Sequence, residues 1–148
     1  MDILIAIPKK VKKVIIFFVV VIILVYIVLP KYEFTHYKLS LGSLYITKVE
    51  YKSIISGNST YFTEGKYYKR SIPESYIKPV YSGISGGYDI ILSSENGKIN
   101  IYGLNGYFET HELKDNTNFE MLESNLDGVK KWKKMVSDNS GKYIHVFY

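Results

Sequence analysis

One stretch of the sequence divides the chain into two parts: Val14-Ile-Ile-Phe-Phe-Val-Val-Val-Ile-Ile-Leu-Val-Tyr-Ile-Val-Leu29. Its sixteen residues contain no charge, and the only polar side-chain atom is the hydroxyl oxygen of Tyr26. A helix on the surface of a soluble domain carries a polar face, which this stretch lacks. The hydrocarbon core of a membrane offers no partner for a charge or a free backbone group. The composition therefore predicts a helix that crosses a membrane.

The predicted span covers residues 14–30. Sixteen helical residues rise about 24 Å, a little less than the roughly 30 Å of a bilayer core. Val11, Lys12 and Lys13 lengthen the helix enough to cross the core, because the lysine side chains can extend their charges to the headgroups. We expect the contacts with the bilayer to come from residues along the whole length: Lys12, Lys13, Val14, Phe17, Phe18, Leu24, Tyr26 and Leu29.

Two alternatives compete with a permanent anchor. A buried core helix or strand of a soluble domain is one, although such a uniform apolar stretch is unusual for it. A cleaved signal peptide is the other, and it would end in a site of small residues. The flank Val28-Leu-Pro-Lys-Tyr-Glu33 contains no small residue. The sequence therefore favours an uncleaved signal anchor.

The lysines before the span predict its direction. Lys9, Lys10, Lys12 and Lys13 precede it and are opposed only by Asp2. Because positively charged flanks stay on the cytoplasmic side, residues 1–13 should form a short cytoplasmic N-terminus. Residues 31–148 should then form an extracytoplasmic domain on the outer side of the cytoplasmic (inner) membrane.

The composition of residues 31–148 excludes several classes of protein. Of the 19 Lys and Arg residues four precede the span, and of the 14 Asp and Glu residues one does, which leaves 15 against 13 in the domain. So balanced a charge lacks the basic surface of a nucleic-acid-binding protein. The chain has no cysteine, so it has neither disulfides nor thiolate chemistry. A cysteine-free exported domain is typical of the bacterial envelope.

Alternating polar and apolar residues predict strands after the span. We expect strands over 32–41 and 44–55 with a turn at Gly42–Ser43, and a third strand over 60–68 after a turn at 56–59. Residues 76–81 should form at best an edge strand, because Pro79 has no N–H for a neighbouring strand. Residues 82–87 should form a flexible connector. Its Gly83-Ile-Ser85-Gly-Gly87 matches the nucleophile motif of the α/β hydrolases, but the following segment is a predicted strand and not the required helix.

Two Asn-Gly pairs predict a three-stranded meander over residues 88–113. Asn96-Gly97 and Asn105-Gly106 each separate alternating segments, which is typical of two-residue hairpins. Glu95 should then lie opposite Lys98, and Leu104 opposite Tyr107. The expected core face holds Ile90, Leu92, Ile99, Ile101, Phe108 and Thr110. The expected exposed face holds Asp89, Ile91, Ser93, Asn100, Tyr102, Glu109 and His111.

A change of period predicts a helix after the meander. Thr117-Asn-Phe-Glu120 is a possible capping box at its start. Apolar residues then recur at helical spacing on one face: Phe119, Leu122, Leu126, Val129, Trp132 and Val136. Gly128 should weaken the middle of this helix. Residues 142–148 should form a final strand. The order predicts an α+β fold: one N-terminal transmembrane helix, then a small domain of an antiparallel sheet with one helix near the C-terminus and a last strand.

The candidate functional residues lie in two places. Asn100, Tyr102, Glu109 and His111 should share the exposed sheet face and contact a partner. The run Lys130-Lys-Trp-Lys-Lys134 supplies the cations Lys130, Lys131 and Lys134, for an acidic partner or for anionic headgroups with Trp132 inserted. The alternative is a solvated helix end whose tryptophan faces the core. The spacing of the three histidines fits no metal motif, so we expect no metal and no cofactor.

Tyrosine abundance favours protein binding as the function. Fourteen of the 15 tyrosines follow the span, and tyrosine is common both in strands and at binding surfaces. We expect a membrane-anchored, non-enzymatic binding module whose partners are the lipid bilayer and another protein, and within that class an immunity or exclusion protein that neutralises a toxin. The alternative is a structural accessory subunit of a secretion, pilus or division complex. An enzyme using Glu109 and His111 is the least favoured option.

Overall fold

A computed structural model describes residues 8–39, 44–80, 89–104, 107–138 and 140–147. Within these ranges the elements are α1 (Lys9–Val28), β1 (Lys31–Lys38), β2 (Tyr45–Ser53), β3 (Gly57–Glu64), β4 (Tyr76–Val80), β5 (Asp89–Glu95), β6 (Lys98–Leu104), β7 (Tyr107–His111), β8 (Thr117–Leu122), α2 (Leu126–Val136) and β9 (Tyr143–Phe147). The predicted α+β class and its order of N-terminal apolar helix, strands, helix and last strand are confirmed. Four predicted segments lie outside the described residues: the N-terminal residues 1–7, the turn Gly42–Ser43, the connector 82–87 and the turn Asn105–Gly106.

α1 is long and apolar enough to cross a membrane. Its segment Lys10–Val28 has 19 residues with a mean hydropathy of 2.9, and none of it is buried against the rest of the chain. This exposure rules out a core helix of a soluble domain, one of the two alternatives to an anchor. The helix ends where Leu29 turns extended (φ −61°, ψ 132°), as expected for a residue that precedes proline. Only Leu29 and Pro30 separate α1 from β1.

The strands form two sheets, and the helix α2 adds a third layer. Sheet A has the order β1-β2-β3-β4-β7, and sheet B has the order β8-β6-β5-β9. The two sheets bury a shared interior formed by Leu39, Ile46, Phe62, Ile77, Ile90, Leu92, Ile99, Ile101 and Val146. α2 covers the other side of sheet B through a second cluster of Ile91, Leu104, Leu122, Trp132 and Met135. The central strand β5 of sheet B is therefore buried on both faces.

The first Asn-Gly hairpin is confirmed. Glu95 lies opposite Lys98 in the β5–β6 register. Asn96 and Gly97 have φ values of 51° and 76°, the positive values that a type I′ turn needs at both central positions. The last strand is confirmed as well, since β9 pairs antiparallel with β5.

The second half of the predicted meander is wrong. β7 pairs with β4 in sheet A, where Tyr107 lies opposite Val80 and not opposite Leu104. β8 instead pairs in parallel with β6, along the edge of β6 that is not paired with β5. Phe108 explains part of this arrangement: it packs against the interior, and its ring lies directly over Gly103, where a Cβ would collide with it. The chain thus passes from sheet B to sheet A between Leu104 and Tyr107.

The predicted core face is confirmed on β5 and β6 but not on β7, and the predicted exposed face is partly buried. Ile90, Leu92, Ile99 and Ile101 are buried as predicted. Ile91 and Ser93, predicted to be exposed, are also buried because α2 covers their side of sheet B. Thr110, predicted to be in the core, is exposed on the edge strand β7. The three consecutive apolar residues Ile90–Leu92 are the local sign that both faces of β5 are covered.

The start of the predicted C-terminal helix is also wrong. Thr117 to Leu122 form β8, and the Thr117 hydroxyl donates to Glu64 of sheet A (2.9 Å) and does not cap a helix. α2 begins at Leu126, with Asn125 as the N-cap accepting from the Gly128 N–H (2.9 Å). Gly128 therefore lies in the first turn of α2, not in its middle. The buried residues of α2 are Trp132 and Met135, whereas Leu126 and Val136 are exposed.

The position of one strand and the bounds of one hairpin loop also differ from the prediction. β4 lies between β3 and β7 and is not an edge strand. The β3–β4 register is set by Phe62 opposite Ile77, two residues before Pro79, and Pro79 itself lies opposite Phe108 of β7. The β2–β3 hairpin is closed by Ser53 opposite Gly57, so its loop is residues 54–56 and not the predicted 56–59.

Candidate functional site

The predicted partner-binding residues fall on two separate surfaces. Asn100 and Tyr102 lie on β6 of sheet B, next to the α2 that carries Lys130, Lys131 and Lys134. Glu109 and His111 lie on β7 at the edge of sheet A. The expectation that all four strand residues share one face is wrong, because β7 joins the other sheet.

The first surface is the side of α2 that meets β6 and β8. Lys131 donates to Glu120 (2.5 Å), and its ammonium lies 5.2 Å from the centre of the Tyr102 ring. Burial raises the pKa of the Tyr102 phenol above its usual value, while the nearby Lys131 charge lowers it by a smaller amount. Asn118 donates to the Asn100 side chain (3.1 Å). Much of this surface is therefore occupied by contacts within the domain.

The remaining cations of α2 face solvent. Lys130 and Lys134 are exposed and lie one helical turn apart. Trp132 is buried beneath them, with its ring 5.4 Å from that of His145. The alternative of a solvated helix end with a core tryptophan is thus the one that the structure supports, and insertion of Trp132 into headgroups is not.

The second surface is the side of sheet A that faces away from sheet B. Opposite residues in an antiparallel pair point to the same side of a sheet. Tyr32 lies opposite Tyr51, and Phe34 opposite Val49, which in turn lies opposite Tyr61. Adding the aligned residues of β4 and β7 and the two tyrosines after β3 defines what we call the aromatic face: Tyr32, Phe34, His36, Tyr51, Tyr61, Tyr67, Tyr68, Tyr76 and His111.

The rings of the aromatic face contact one another across the sheet. Tyr32 and Tyr51 lie 5.3 Å apart between ring centres in an edge-to-face arrangement. Tyr61 and Tyr76 lie 5.1 Å apart, and Tyr76 and His111 lie 5.4 Å apart. Such spacings are favourable for aromatic pairs. The face reaches from β1 to β7, so it includes the predicted residue His111 at its edge.

Glu109 lies at the same edge of the aromatic face. Its carboxylate pairs with the Lys78 ammonium of β4 at 3.3 Å. Because Lys78 lies opposite Glu109 and Tyr76 lies opposite His111, all four side chains project from one side of sheet A. The structure thus brings the predicted residues Glu109 and His111 into an aromatic surface that the sequence pattern did not reveal.

The buried hydroxyl of Thr47 fixes the segment that crosses the aromatic face. It donates to the Gly65 carbonyl (2.6 Å) and accepts from the Tyr67 N–H (3.1 Å). Since its one hydrogen is used for Gly65, the His36 Nδ1, 2.8 Å away, must be the donor in their contact. All three hydrogen-bonding sites of the hydroxyl are therefore satisfied, and they join β1, β2 and the chain after β3.

This segment places two further tyrosines on the aromatic face. The Tyr67 phenol donates to the Ser71 carbonyl (3.1 Å), and its ring lies 6.3 Å from that of Phe34. The Tyr68 ring lies 4.6 Å from that of His36 and keeps 64% of its surface exposed. The centre of the sheet is thus covered, whereas Tyr68 is presented to solvent.

The aromatic face has a sequence signal that could have located it. Tyr32, Phe34 and His36 follow one another at every second position of β1. Such spacing puts all three rings on one side of a strand. The positions of Tyr61, Tyr67 and Tyr76 carry no comparable signal, because they come together only through the pairing of β3 with β4 and through the Thr47 hydrogen bonds.

The titratable groups of the described residues form no group of three or more His, Asp or Glu that would hold a metal ion. His145 and Asp89 approach within 3.7 Å on sheet B. Burial lowers the pKa of His145, and the Asp89 charge offsets part of that effect. The His145 ring also lies beside the buried Trp132 ring, with 5.4 Å between the ring centres. The expected absence of catalysis and of a cofactor stays a prediction.

The predicted membrane-anchor residues from Lys12 to Tyr26 are all exposed along α1, and Leu29 follows its last residue. The helix is therefore free to contact lipid along its whole length. No protein-family model matches this chain, and neither a curated protein nor a solved structure is similar to it.

Proposed function

We propose that this chain is a single-pass, membrane-anchored module that binds another protein on the outer side of the cytoplasmic membrane. The exposed, uniformly apolar α1 supports the anchor. The lysines at its N-terminal end support an orientation with that end in the cytoplasm. The linker of two residues, Leu29 and Pro30, holds the domain directly on the membrane surface.

The aromatic face is the observation that carries the binding function. Protein interfaces are enriched in tyrosine, which offers a large contact area at a low cost in side-chain entropy. On this face the rings are already held by contacts with one another and by the Thr47 hydrogen bonds. A surface ordered before binding loses less entropy when a partner binds. Glu109 and Lys78 supply charges at the edge of the face, where a polar rim is usual.

Within this class we favour an immunity or exclusion protein. Tethering a binding domain at the membrane raises its effective concentration at the place where an incoming toxin or nucleic-acid donor acts. Such a protein needs a rigid binding surface and an anchor, and it needs no cofactor and no catalytic residues. Its partners would be the bilayer and one protein, with no direct contact to nucleic acid.

A second candidate is a structural accessory subunit of an envelope complex, such as a secretion, pilus or division machine. It is supported by the presence of two candidate surfaces on opposite sides of the layered domain. The aromatic face lies outside sheet A, and the exposed Lys130 and Lys134 lie outside sheet B on α2. A subunit with neighbours on both sides would use both.

Site-specific crosslinking of the full chain in its native membrane tests the proposal. A photoreactive amino acid at Tyr68 or His111 reports on the aromatic face, and one at Lys134 is the matched exposed position on α2. We expect one stoichiometric protein to be captured from Tyr68 and His111. Capture of several membrane proteins from both surfaces would favour the accessory subunit. Absence of any captured protein at all three positions would refute binding.

The orientation is tested by reporters fused to Tyr148. An alkaline phosphatase fusion should be active, and a fluorescent protein exported by the same route should be dark. N-terminal sequencing of the membrane-bound protein should begin upstream of α1. An active cytoplasmic reporter would refute the orientation, and a mature chain starting near Lys31 would identify α1 as a cleaved signal.

A further inference from the structure

The hairpin between β2 and β3 ends in two exposed isoleucines. Its loop is Ile54-Ile55-Ser56, and Ile54 and Ile55 keep 72% and 76% of their surface exposed. The Ser53 hydroxyl oxygen accepts hydrogen bonds from the N–H groups of Ile55 and Ser56 (3.2 Å each), so the loop is a defined turn. Turns favour Gly, Asn, Asp and Ser, and two large apolar residues at the tip have no role in forming this one.

The register of sheet A puts this tip at the membrane end of the domain. β1 starts at Lys31, directly after the two-residue linker from α1. Lys31 lies opposite Lys52, near the end of β2. One open concavity of about 500 Å³ is lined by Tyr26, Ile27 and Leu29 from the anchor and by Lys31, Lys52, Ser53, Ile54 and Asn58 from sheet A. The tip is therefore level with the last turn of the apolar span.

The residues around the tip are those that membrane interfaces favour. The Lys31 ammonium lies 5.5 Å from the centre of the Tyr26 ring. The Lys52 ammonium forms a salt bridge with the Glu33 carboxylate (2.7 Å), and its side chain is half exposed beside Ile54. Tyrosine and lysine are typical of the layer where hydrocarbon gives way to headgroups. The isoleucine tip then projects from this layer beside the anchor.

We infer that Ile54 and Ile55 insert into the leaflet that α1 crosses last, and that they form a second contact with the bilayer. The occupant of this apolar tip is lipid, because the tip is continuous with the end of the anchor that lipid already surrounds. The two contacts together fix the tilt of the domain and so the direction in which the aromatic face is presented. This inference rests on the membrane anchoring in the proposed function.

Single-cysteine labelling of the full chain tests the inference directly, since the chain has no native cysteine. The variant Ile55→Cys is labelled with the environment-sensitive fluorophore NBD and reconstituted into vesicles of phosphatidylcholine and phosphatidylglycerol. The matched control is Ile72→Cys, an exposed isoleucine that lines a different concavity with Glu64. Glu64 lies seven residues along β3 from Gly57, about 23 Å from the tip.

We expect the label at Ile55 to emit at shorter wavelength than the label at Ile72 and to be quenched by lipids with a nitroxide near the headgroup. The label at Ile72 should instead be quenched by aqueous iodide. If the label at Ile55 behaves like the label at Ile72, the inference is overturned, and the exposed tip is left for a protein partner. The vesicles contain no other protein, so the two occupants are distinguished.

A third label at Ile22, in the middle of α1, separates this inference from the anchoring itself. Quenching of Ile22 by lipid nitroxides without quenching of Ile55 overturns only the inserted tip. Absence of quenching at both positions refutes the anchor and the proposed function with it. As a second variant, Ile54→Ser with Ile55→Ser should leave Trp132 fluorescence unchanged, because the tip is exposed. It should lower the anisotropy of a label at Ile72, since the domain is then free to tilt; unchanged anisotropy would contradict the inference.

Discussion

The hydrogen bonds of Thr47 give the sharpest test of how the aromatic face is held. The substitution Thr47→Val keeps the β-branched shape of the buried side chain and replaces its hydroxyl by a methyl group. It removes the bonds to the Gly65 carbonyl, the Tyr67 N–H and the His36 ring. The new methyl also lies against the Gly65 carbonyl, at a position where the hydroxyl oxygen was 2.6 Å away.

The expected cost follows from these three bonds. Each contributes about 1 kcal/mol net, and water replaces part of this because the partners are only partly buried, so we expect a loss of about 2 to 3 kcal/mol. For a domain of about 118 residues that loss lowers the midpoint of thermal unfolding by about 8 to 12 °C. The segment after β3 should also open locally, because Thr47 is its attachment to sheet A.

Trp132 is the only tryptophan, and its side chain is buried between α2 and sheet B, so its fluorescence reports unfolding of the domain in the full chain in detergent micelles. The matched control is Thr63→Val, because Thr63 is a buried threonine directly opposite Thr47 that takes no part in the three hydrogen bonds of the Thr47 hydroxyl. The control should cost less stability than Thr47→Val, because it removes none of these three hydrogen bonds. Trypsin cleavage after Lys69 and Arg70 should be faster in Thr47→Val only.

Equal stability of Thr47→Val and Thr63→Val would contradict a stabilising role of the three Thr47 hydrogen bonds. It would mean that the Thr47 hydroxyl is replaced by water at no cost and that the segment after β3 is held by its tyrosine contacts alone. A lower stability without faster cleavage would refute the local part of the argument.

Three further predictions concern the interior and α2. Gly128→Ala should destabilise the domain by about 1 to 3 kcal/mol, because the Cβ of alanine would collide with the Glu123 carbonyl oxygen. Alanine otherwise favours helices, so a higher midpoint of thermal unfolding for this variant would contradict the prediction. Leu92→Ala in the interior should lower the free energy of unfolding in urea by about 3 kcal/mol. Leu126→Ala, at an exposed position of α2, should lower it by less than about 0.5 kcal/mol. Equal losses would contradict the assignment of Leu92 to the interior. Burial lowers the pKa of His145 below 6.5 in the folded state. As the pH falls, His145 is therefore protonated in the unfolded chain before it is protonated in the folded chain. The free energy of unfolding should then decrease as the pH drops below 6.5, until the folded-state pKa is passed. His145→Gln should remove this part of the pH dependence, and an unchanged profile would exclude His145 as its source.

Local patterns predicted the elements whose partners are near in sequence. The Asn96-Gly97 turn has positive φ at both positions, as its residues require, and β5 and β6 pair in the predicted register. The alternation that this register carries also placed Ile90, Leu92, Ile99 and Ile101 in the interior. These successes share a cause, because the turn and the strands it joins lie within sixteen residues.

Errors arose where a distant partner decided the outcome. Thr117 has the residues of a capping box after it, but its hydroxyl donates to Glu64, 53 positions earlier, and its segment pairs with β6. Ile91 belongs to a face that looked exposed until α2 covered it. Glu109 and His111 left the surface of Asn100 and Tyr102 because β7 found its partner in β4.

The sequence was sufficient to predict the apolar helix, its end before Pro30, the α+β class and the first hairpin, since each depends on composition or on neighbouring residues. Long-range pairing of the strands established that there are two sheets, that β5 is buried on both faces and that the tyrosines gather into an aromatic face. An alternating strand fixes which side chains share a side, but the identity of the neighbour on that side depends on pairings between residues far apart in the chain. Ile54 and Ile55 lie near the end of α1 for the same reason, since the pairing of Lys31 with Lys52 brings the tip of the β2–β3 hairpin there.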